Sequence, residues 1–173
     1  MLAILFVLTL IHYSSSYEAV KYLDLNKYVG TWFQVYGDKF NEIFQGNGIC
    51  SKAYYKFNEN NITVHNTQLD KDKNKDSISG FAYYKDNNTG GYLNVHLNGT
   101  PEAPYWVIET GPVIDELYDY AIVSDDKRLS LYVLTRNVTR FYSDYDEDVL
   151  YSLDTFGFSK KYNSPITMDQ SNC

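Results

Sequence analysis

The chain has 173 residues, 17% of them aromatic, and a formal net charge of −7 at neutral pH. This length fits one domain with a sizeable core. Because the charge is acidic and the sequence contains no basic cluster, composition argues against nucleic acid and anionic lipid surfaces as electrostatic partners.

The first sixteen residues have the character of a secretory leader. Residues 1–16 contain no Asp, Glu, Lys or Arg, and residues 2–11 form an almost unbroken apolar run. Ser14 and Ser16 place small side chains where a signal peptidase cleaves, and the run is too short to span a bilayer. The sequence therefore predicts a signal peptide over residues 1–16 and a single secreted, extracellular domain over residues 17–173. The alternative is a buried N-terminal strand.

A Gly-Thr-Trp triplet, from Gly30 to Trp32, opens the first of eight predicted strands. Runs rich in Tyr, Phe, Val and Thr alternate with clusters of turn-forming residues along most of the chain. Strands are predicted at residues 31–37, 50–57, 62–69, 77–85, 91–97, 105–110, 118–124 and 129–135. Short strands in close succession indicate an up-and-down barrel or a sandwich, and the short loops favour an antiparallel meander.

Alternation of side chains gives each strand an inner and an outer face. Tyr55, Val64 and Asn66 fall on inner faces, whereas His65 and His96 fall on outer faces. An eight-stranded barrel is wide enough for packed side chains or for one small ligand. An unsatisfied buried amide costs about 1–3 kcal/mol, so Asn66 on an inner face favours the ligand.

One helix is predicted after the last strand. Ser143 is suited to the N-cap, acidic residues at 144–148 suit the first turn, and Gly157 is suited to the stop. An apolar stripe predicts that this helix packs on the outside of the barrel. The stripe consists of Val149, Leu150, Leu153 and Phe156.

Cys50 and Cys173 are the only cysteines. In a secreted chain they are expected to oxidise to a disulfide, which would tie the last residue to the early part of the chain. An intermolecular bond or two free thiols are the alternatives.

Four Asn-x-Thr sequons predict N-glycosylation at positions that face water. The alternative is coincidence in a chain rich in Asn and Thr. The acceptor residues are Asn61, Asn87, Asn98 and Asn137.

No pattern predicts a catalytic, metal or cofactor site. Neither His65 nor His96 forms a metal-spaced pair with Cys, Asp or Glu. No glycine-rich turn opens a helix as a phosphate loop requires. Cys50 is better explained by a disulfide than by a catalytic thiol. The sequence therefore predicts a protein that is not an enzyme, with no metal and no cofactor.

Five segments, in order and with suitable spacing, resemble the motifs of the lipocalin family. The resemblance covers residues 22–173 and is strongest to the apolipoprotein-D-like branch shared with bacterial lipocalins. It implies an all-β fold, an eight-stranded antiparallel up-and-down β-barrel (the lipocalin calyx) with one C-terminal α-helix packed outside. The segments are residues 24–32, 103–108, 118–123, 132–136 and 169–173.

The same resemblance implies roles for single residues. Arg136 would pack on Trp32, near Gly30, at the closed end of the barrel, a contact worth about 0.5–2 kcal/mol. The tail would join Cys173 to a cysteine placed like Cys50. Pocket-lining positions of the family align with Tyr55, Asn66 and Tyr132, and Val64 shares their inner face.

The sequence departs from the family in two places. Residues 110–112 and an insertion running to about Leu117 replace the usual Thr-Asp before the second motif, and the cysteines of the second disulfide of apolipoprotein D are absent.

The predicted function is therefore carriage of one small hydrophobic molecule, of lipid, sterol, retinoid or bilin type, in the barrel. Tyr55, Val64, Asn66 and Tyr132 are the predicted ligand-binding residues. A cell-surface receptor or a lipid particle is a further candidate partner. One alternative is a secreted interaction protein whose barrel is filled by its own aromatic side chains. A less favoured one is a lipocalin-fold isomerase, which would need a free thiol or an interior acid.

Overall fold

The computed structural model describes residues 17–39, 48–58, 61–85, 89–171 and 173. The predicted signal peptide and the sequon residue Asn87 lie outside these ranges. Within them, no helix is long and apolar enough to cross a membrane.

Eight strands close into an antiparallel barrel, as the family resemblance implied. Each pairs with the next along the chain, and the last pairs with the first, so the barrel has no open seam. The barrel strands are β1 (Gly30–Gly37), β2 (Ile49–Asn58), β3 (Asn61–Leu69), β4 (Lys75–Tyr84), β5 (Tyr92–Leu97), β6 (Ala103–Thr110), β9 (Tyr120–Ser124) and β10 (Leu131–Thr135).

Four short elements complete the described β-structure and the closed end. They are α1 (Leu25–Tyr28), β7 (Val113–Ile114), β8 (Leu117–Tyr118) and β11 (Ile166–Thr167). The insertion between β6 and β9 folds into a hairpin of β7 and β8. Its two turn residues, Asp115 and Glu116, have positive φ angles of 48° and 66°, as the tight turn of a two-residue hairpin requires.

The apolar side chains form two cores. One lies inside the barrel and includes Trp32, Tyr55 and Val64. The second lies outside the barrel, where β1, β6, β9 and β10 pack against the helical segment. That segment consists of α2 (Val138–Arg140), a π-helical turn (Phe141–Tyr145) and α3 (Asp146–Thr155). The outer faces of β2 to β5 belong to neither core.

The helical segment begins earlier than predicted. Asn137, and not Ser143, is the N-cap, because its carboxamide oxygen accepts a hydrogen bond of 3.0 Å from the backbone N–H of Arg140. Ser143 lies inside the segment and donates to the carbonyl of Arg140. Phe141 precedes the predicted start and is fully buried in the second core, so burial of this ring draws the preceding turn into the helix.

The predicted apolar stripe is right in part. Val149 and Leu153 are fully buried and Phe156 is partly buried against the same core, but the Leu150 side chain is 36% exposed. Leu150 follows Val149 directly, and neighbouring residues of a helix point about 100° apart, so only one of the two can face the barrel.

The position of the cap can be tested on glycan-free protein with its disulfide formed. We expect Asn137→Ala to lower the free energy of unfolding by about 0.5–2 kcal/mol, since it removes the hydrogen bond to the first turn. Ser143→Ala is expected to stay within about 0.5 kcal/mol of the parent protein. Urea denaturation followed by circular dichroism measures both. A larger loss for Ser143→Ala would contradict the earlier helix start.

Candidate functional site

An indole and a guanidinium close one end of the barrel. Trp32 is fully buried, and its ring N–H donates to the carbonyl of Tyr28 at 2.8 Å. The Arg136 guanidinium carbon lies 3.5 Å from the centre of the Trp32 ring, which is cation–π geometry. The two residues that the resemblance placed together are therefore in contact, 104 positions apart in the sequence.

The Arg136 guanidinium also satisfies backbone carbonyls that converge on the same end. Its N–H groups donate to the carbonyls of Thr31 at 2.7 Å, Tyr118 at 3.2 Å and Lys27 at 3.4 Å. Burial lowers the pKa of Arg136 to about 10, so the side chain remains a cation at neutral pH. Arg136 therefore joins α1, β1 and β8 at the closed end of the barrel.

Gly30 makes room for this arrangement. Its φ angle is +94°, a conformation that other residues rarely adopt, and a Cβ atom there would lie 3.3 Å from Nη1 of Arg136. Any other residue would therefore combine backbone strain with a close contact to the guanidinium.

Three tyrosine hydroxyls meet inside the barrel above this floor. The Tyr105 hydroxyl lies 2.8 Å from that of Tyr28 and 3.1 Å from that of Tyr55. The rings of Tyr28 and Tyr55 are stacked, with their centres 5.7 Å apart. Burial raises the pKa of Tyr55 to about 12 and raises the pKa values of Tyr28 and Tyr105 well above the usual range. All three hydroxyls are thus neutral donors and acceptors at physiological pH.

This burial predicts a loss of stability in alkali. Unfolded Tyr55 ionises near its ordinary pKa of 10, whereas the folded residue keeps its proton up to about pH 12. The stabilising contribution is therefore complete below pH 10 and is lost as the pH rises towards 12. Urea denaturation at a series of pH values measures this loss. Between pH 10 and 12 the free energy of unfolding of Tyr55→Phe should fall less steeply than that of the parent protein, by up to about 1.4 kcal/mol per pH unit. Equal slopes would mean that Tyr55 ionises freely in the folded state.

Asn66 lies on the inner wall, as alternation predicted. It stands between Ala53 of β2 and Ile78 of β4 in the register of the sheet. Its Oδ1 atom is buried and accepts no hydrogen bond within the part of the chain that the structure describes. Val64, two residues earlier, is 6% exposed and pairs with Tyr55. The inner wall therefore presents an apolar surface with one unused acceptor.

Tyr132, on β10, packs against the same core and pairs with Val123 on β9. Burial raises the pKa of its hydroxyl, and the nearby Asp38 carboxylate raises it further. The four residues predicted to bind the ligand, Tyr55, Val64, Asn66 and Tyr132, thus belong to or line one interior. That they bind a ligand stays a prediction.

Three interior polar residues were missed from the sequence. They are Tyr28, Tyr105 and Gln34, whose buried Nε2 atom has no acceptor among the described residues. Tyr105 stands two residues before the fully buried Val107 on β6, and Gln34 two residues after Trp32. Alternation applied to these strands could have found both. Tyr28 lies in α1, where no strand period applies.

The C-terminal tail is fastened to the barrel wall by the predicted disulfide. Cys50 and Cys173 are bonded, which confirms that expectation, and they are 123 positions apart. The Gln170 amide donates to the carbonyls of Gln34 at 2.9 Å and Ser51 at 2.8 Å. Because Cys50 is bonded, it has no free thiol. A lipocalin-fold isomerase that uses this thiol is therefore ruled out.

The described sequon residues differ in their surroundings. Asn98 is exposed, and Asn137 is exposed with its carboxamide oxygen used as the helix cap. Asn61 is only partly exposed, with a buried Oδ1 atom. Glycosylation at the four sites remains a prediction.

The closed floor, the meander of eight strands and the external helix together define a calyx, a cup-shaped barrel with one closed end. The family described as lipocalin-like domain matches residues 23–158. The chain belongs to the lipocalin family, in the branch of apolipoprotein-D-like and bacterial lipocalins.

Two relatives and one solved structure show the extent of the similarity. The outer membrane lipoprotein Blc of Vibrio cholerae is 30% identical over 126 residues, which cover 72% of this chain and 71% of that protein. The Lazarillo protein of Schistocerca americana is 28% identical over 95 residues, 53% of this chain and only 44% of Lazarillo. Insecticyanin of the tobacco hornworm Manduca sexta superposes with a TM-score of 0.68 at 18% identity, covering 92% of this chain and 87% of insecticyanin.

Proposed function

We propose that this protein is a secreted carrier that binds one small hydrophobic molecule inside the barrel. The observation that carries the proposal is the inner wall itself, where an unused acceptor on Asn66 stands among buried apolar side chains. Lipocalins are in general binding and transport proteins, and this favours binding over catalysis.

Desolvation supplies the affinity in this proposal. About 300 Å² of apolar ligand surface buried at ~25 cal/mol/Å² yields roughly 7 kcal/mol before ordering costs. Asn66 and the tyrosine hydroxyls would orient one polar group of the ligand, in the way that a few polar groups usually set orientation in an apolar pocket. Lipids, sterols, retinoids and bilins all fit this description.

Displacement of an environment-sensitive apolar dye by a panel of a fatty acid, a sterol, a retinoid and a bilin tests the proposal. We expect at least one member to compete with a dissociation constant below roughly 1 μM. Asn66→Leu removes the acceptor at similar side-chain volume. It should weaken the binding of that competitor about 2- to 10-fold, the range for one hydrogen bond. Tyr132→Ala should also weaken the binding of that competitor, because it removes apolar contact with the ligand.

Tyr54→Phe is the matched control, because Tyr54 neighbours Tyr55 but its side chain is on the outer face and 52% exposed. If no panel member displaced the dye, or if the control weakened binding as much as Asn66→Leu, the interior would not be the binding site.

One observation favours the alternative, an interaction protein without a ligand. The hydroxyls of Tyr28 and Tyr55 both bond to that of Tyr105, so side chains of the protein itself occupy the interior next to the closed end. If the dye does not bind and no panel member binds, that result would support this alternative. The loops would then be the surface to test against a cell-surface receptor or a lipid particle.

Secretion is the second part of the proposal. The uncharged apolar segment over residues 1–16 and the Cys50–Cys173 disulfide support it, because disulfides persist in oxidising compartments. Expression with the native leader in eukaryotic cells should release protein whose N-terminal residue is Tyr17. Retention of residues 1–16 in the product would contradict cleavage.

A further inference from the structure

Three aromatic rings lie on the outer face of β4 and β5, away from the helical segment, where Phe81 is exposed and Tyr83 and His96 are half-buried. The Phe81 ring is 40% exposed and is stacked on the His96 ring, with the ring centres 5.5 Å apart. The centre of the Tyr83 ring lies 6.0 Å from that of Phe81. We call Phe81, Tyr83 and His96 the outer aromatic patch. None of the three rings belongs to either core.

Asn98 stands beside this patch in the register of the sheet. Phe81 pairs with His96, and the backbone N–H of Asn98 donates to the carbonyl of Ser79 at 2.8 Å, which extends the same ladder by one step. Asn98 is two residues from His96 and therefore shares its outer face. Neighbours at this spacing lie about 7 Å apart, within reach of one sugar ring.

The turn that carries Asn98 presents its carboxamide to solvent. Asn98, Gly99 and Thr100 are all exposed, and Gly99 has a φ angle of +82°. The Thr100 N–H donates to the carbonyl of Leu97 at 3.0 Å, which closes the turn. In contrast, the carboxamide oxygen of Asn137 caps a helix and that of Asn61 is buried.

We propose that Asn98 carries an N-linked glycan whose first N-acetylglucosamine packs on the outer aromatic patch. The C–H face of a pyranose ring is apolar and weakly positive, and it matches the negative face of an aromatic ring. The glycan would thus cover the surface that the helices leave bare. This inference rests on the secretion part of the proposed function.

The attachment follows the usual chemistry of the secretory pathway. The Asn98 carboxamide nitrogen attacks the anomeric carbon of a lipid diphosphate-linked oligosaccharide. A C–N bond forms as the C–O bond to the diphosphate breaks, the lipid diphosphate leaves with the bonding electrons, and the nitrogen loses one proton.

The experiment uses the full chain, secreted from eukaryotic cells with a heterologous leader and with high-mannose glycans retained. Thr63→Val, Thr89→Val and Thr139→Val remove the other sequons and leave the cap residue Asn137 in place. Peptide mass spectrometry should find Asn98 occupied. Thermal unfolding is then compared for the intact glycan, for protein trimmed enzymatically to a single N-acetylglucosamine, and for the fully deglycosylated protein.

We expect the protein with a single N-acetylglucosamine to have the same melting temperature as the intact glycoprotein. Complete removal should lower it by about 2–4 °C, the shift expected for one stacked contact in a domain of this size. Because complete removal leaves aspartate at position 98, Asn98→Asp is the matched reference for the bare chain.

Phe81→Ser should abolish the difference in melting temperature between the protein with a single N-acetylglucosamine and the bare protein. Tyr54→Ser should preserve that difference in melting temperature, since Tyr54 is exposed on the outer face of β2, two strands away from Phe81 on β4. Phe81→Leu, which keeps the apolar core of the side chain without the ring, serves if Phe81→Ser fails to fold.

An unoccupied Asn98, equal melting temperatures of the single-sugar and bare proteins, or a difference that survives both Phe81 variants would overturn the inference. Since the heterologous leader supplies secretion, none of these results bears on ligand binding, which the dye experiment measures separately.

Discussion

Replacing Trp32 with alanine is expected to lower the free energy of unfolding by about 3–5 kcal/mol, the usual cost of truncating a fully buried aromatic residue. The indole is 0% exposed and packs against the Tyr28 ring, with ring centres 5.2 Å apart. Its loss also leaves the carbonyl of Tyr28 without its indole donor and the Arg136 guanidinium without its stacking partner. Urea denaturation followed by far-ultraviolet circular dichroism measures the effect.

Two variants separate the parts of this effect. Trp32→Phe keeps an aromatic ring but lacks the ring N–H, so it should lose less than the alanine variant. Tyr54→Ala truncates an aromatic residue that is 52% exposed on the outer face of β2 and should stay within about 0.5 kcal/mol of the parent. A loss below about 1.5 kcal/mol for Trp32→Ala would mean that another group closes the barrel floor.

Removing the disulfide with Cys50→Ala and Cys173→Ala together should cost about 4–5 kcal/mol. The bond joins residues 123 positions apart, and in the chain-entropy model a cross-link over so long a loop strongly restricts the unfolded chain. The same loss is expected when the unmodified protein is unfolded in urea under reducing conditions.

The tail also makes contacts that do not depend on the disulfide, and Gln170→Ala measures them in oxidised protein. This change removes both donors to the carbonyls of Gln34 and Ser51 and should cost about 1–3 kcal/mol. If the double cysteine variant lost no more than Gln170→Ala, the cross-link would act only by holding the Gln170 amide in place.

The strand pattern could be predicted from the sequence because it depends on local properties. Side chains of a strand alternate with a period of two, so the inward direction of Val64 and Asn66 and the outward direction of His65 follow from the order of residues alone. The structure places Val64 at 6% exposure and His65 on the exposed face. The closed barrel, as opposed to a sandwich, came from the family resemblance, since alternation is the same in both.

The helix start could not be predicted because two residues were suited to the cap. Asn137 and Ser143 are both good N-cap residues by local chemistry. The choice depends on Phe141, which lies between them in sequence and is buried against β1 and β9 residues that are distant in the chain.

By itself the sequence determined which residues of the strands face inwards, and its resemblance to the lipocalin family supplied the partners Trp32 with Arg136 and Cys50 with Cys173. Only the tertiary structure decided which hydroxyls meet inside the barrel, because Tyr105 is 77 residues from Tyr28 and 50 from Tyr55. It also decided that Asn66 keeps an unused acceptor and that Asn98 stands beside the outer aromatic patch. Such neighbours come from the closure and register of the sheet, which depend on all strands at once, whereas alternation depends on each strand alone.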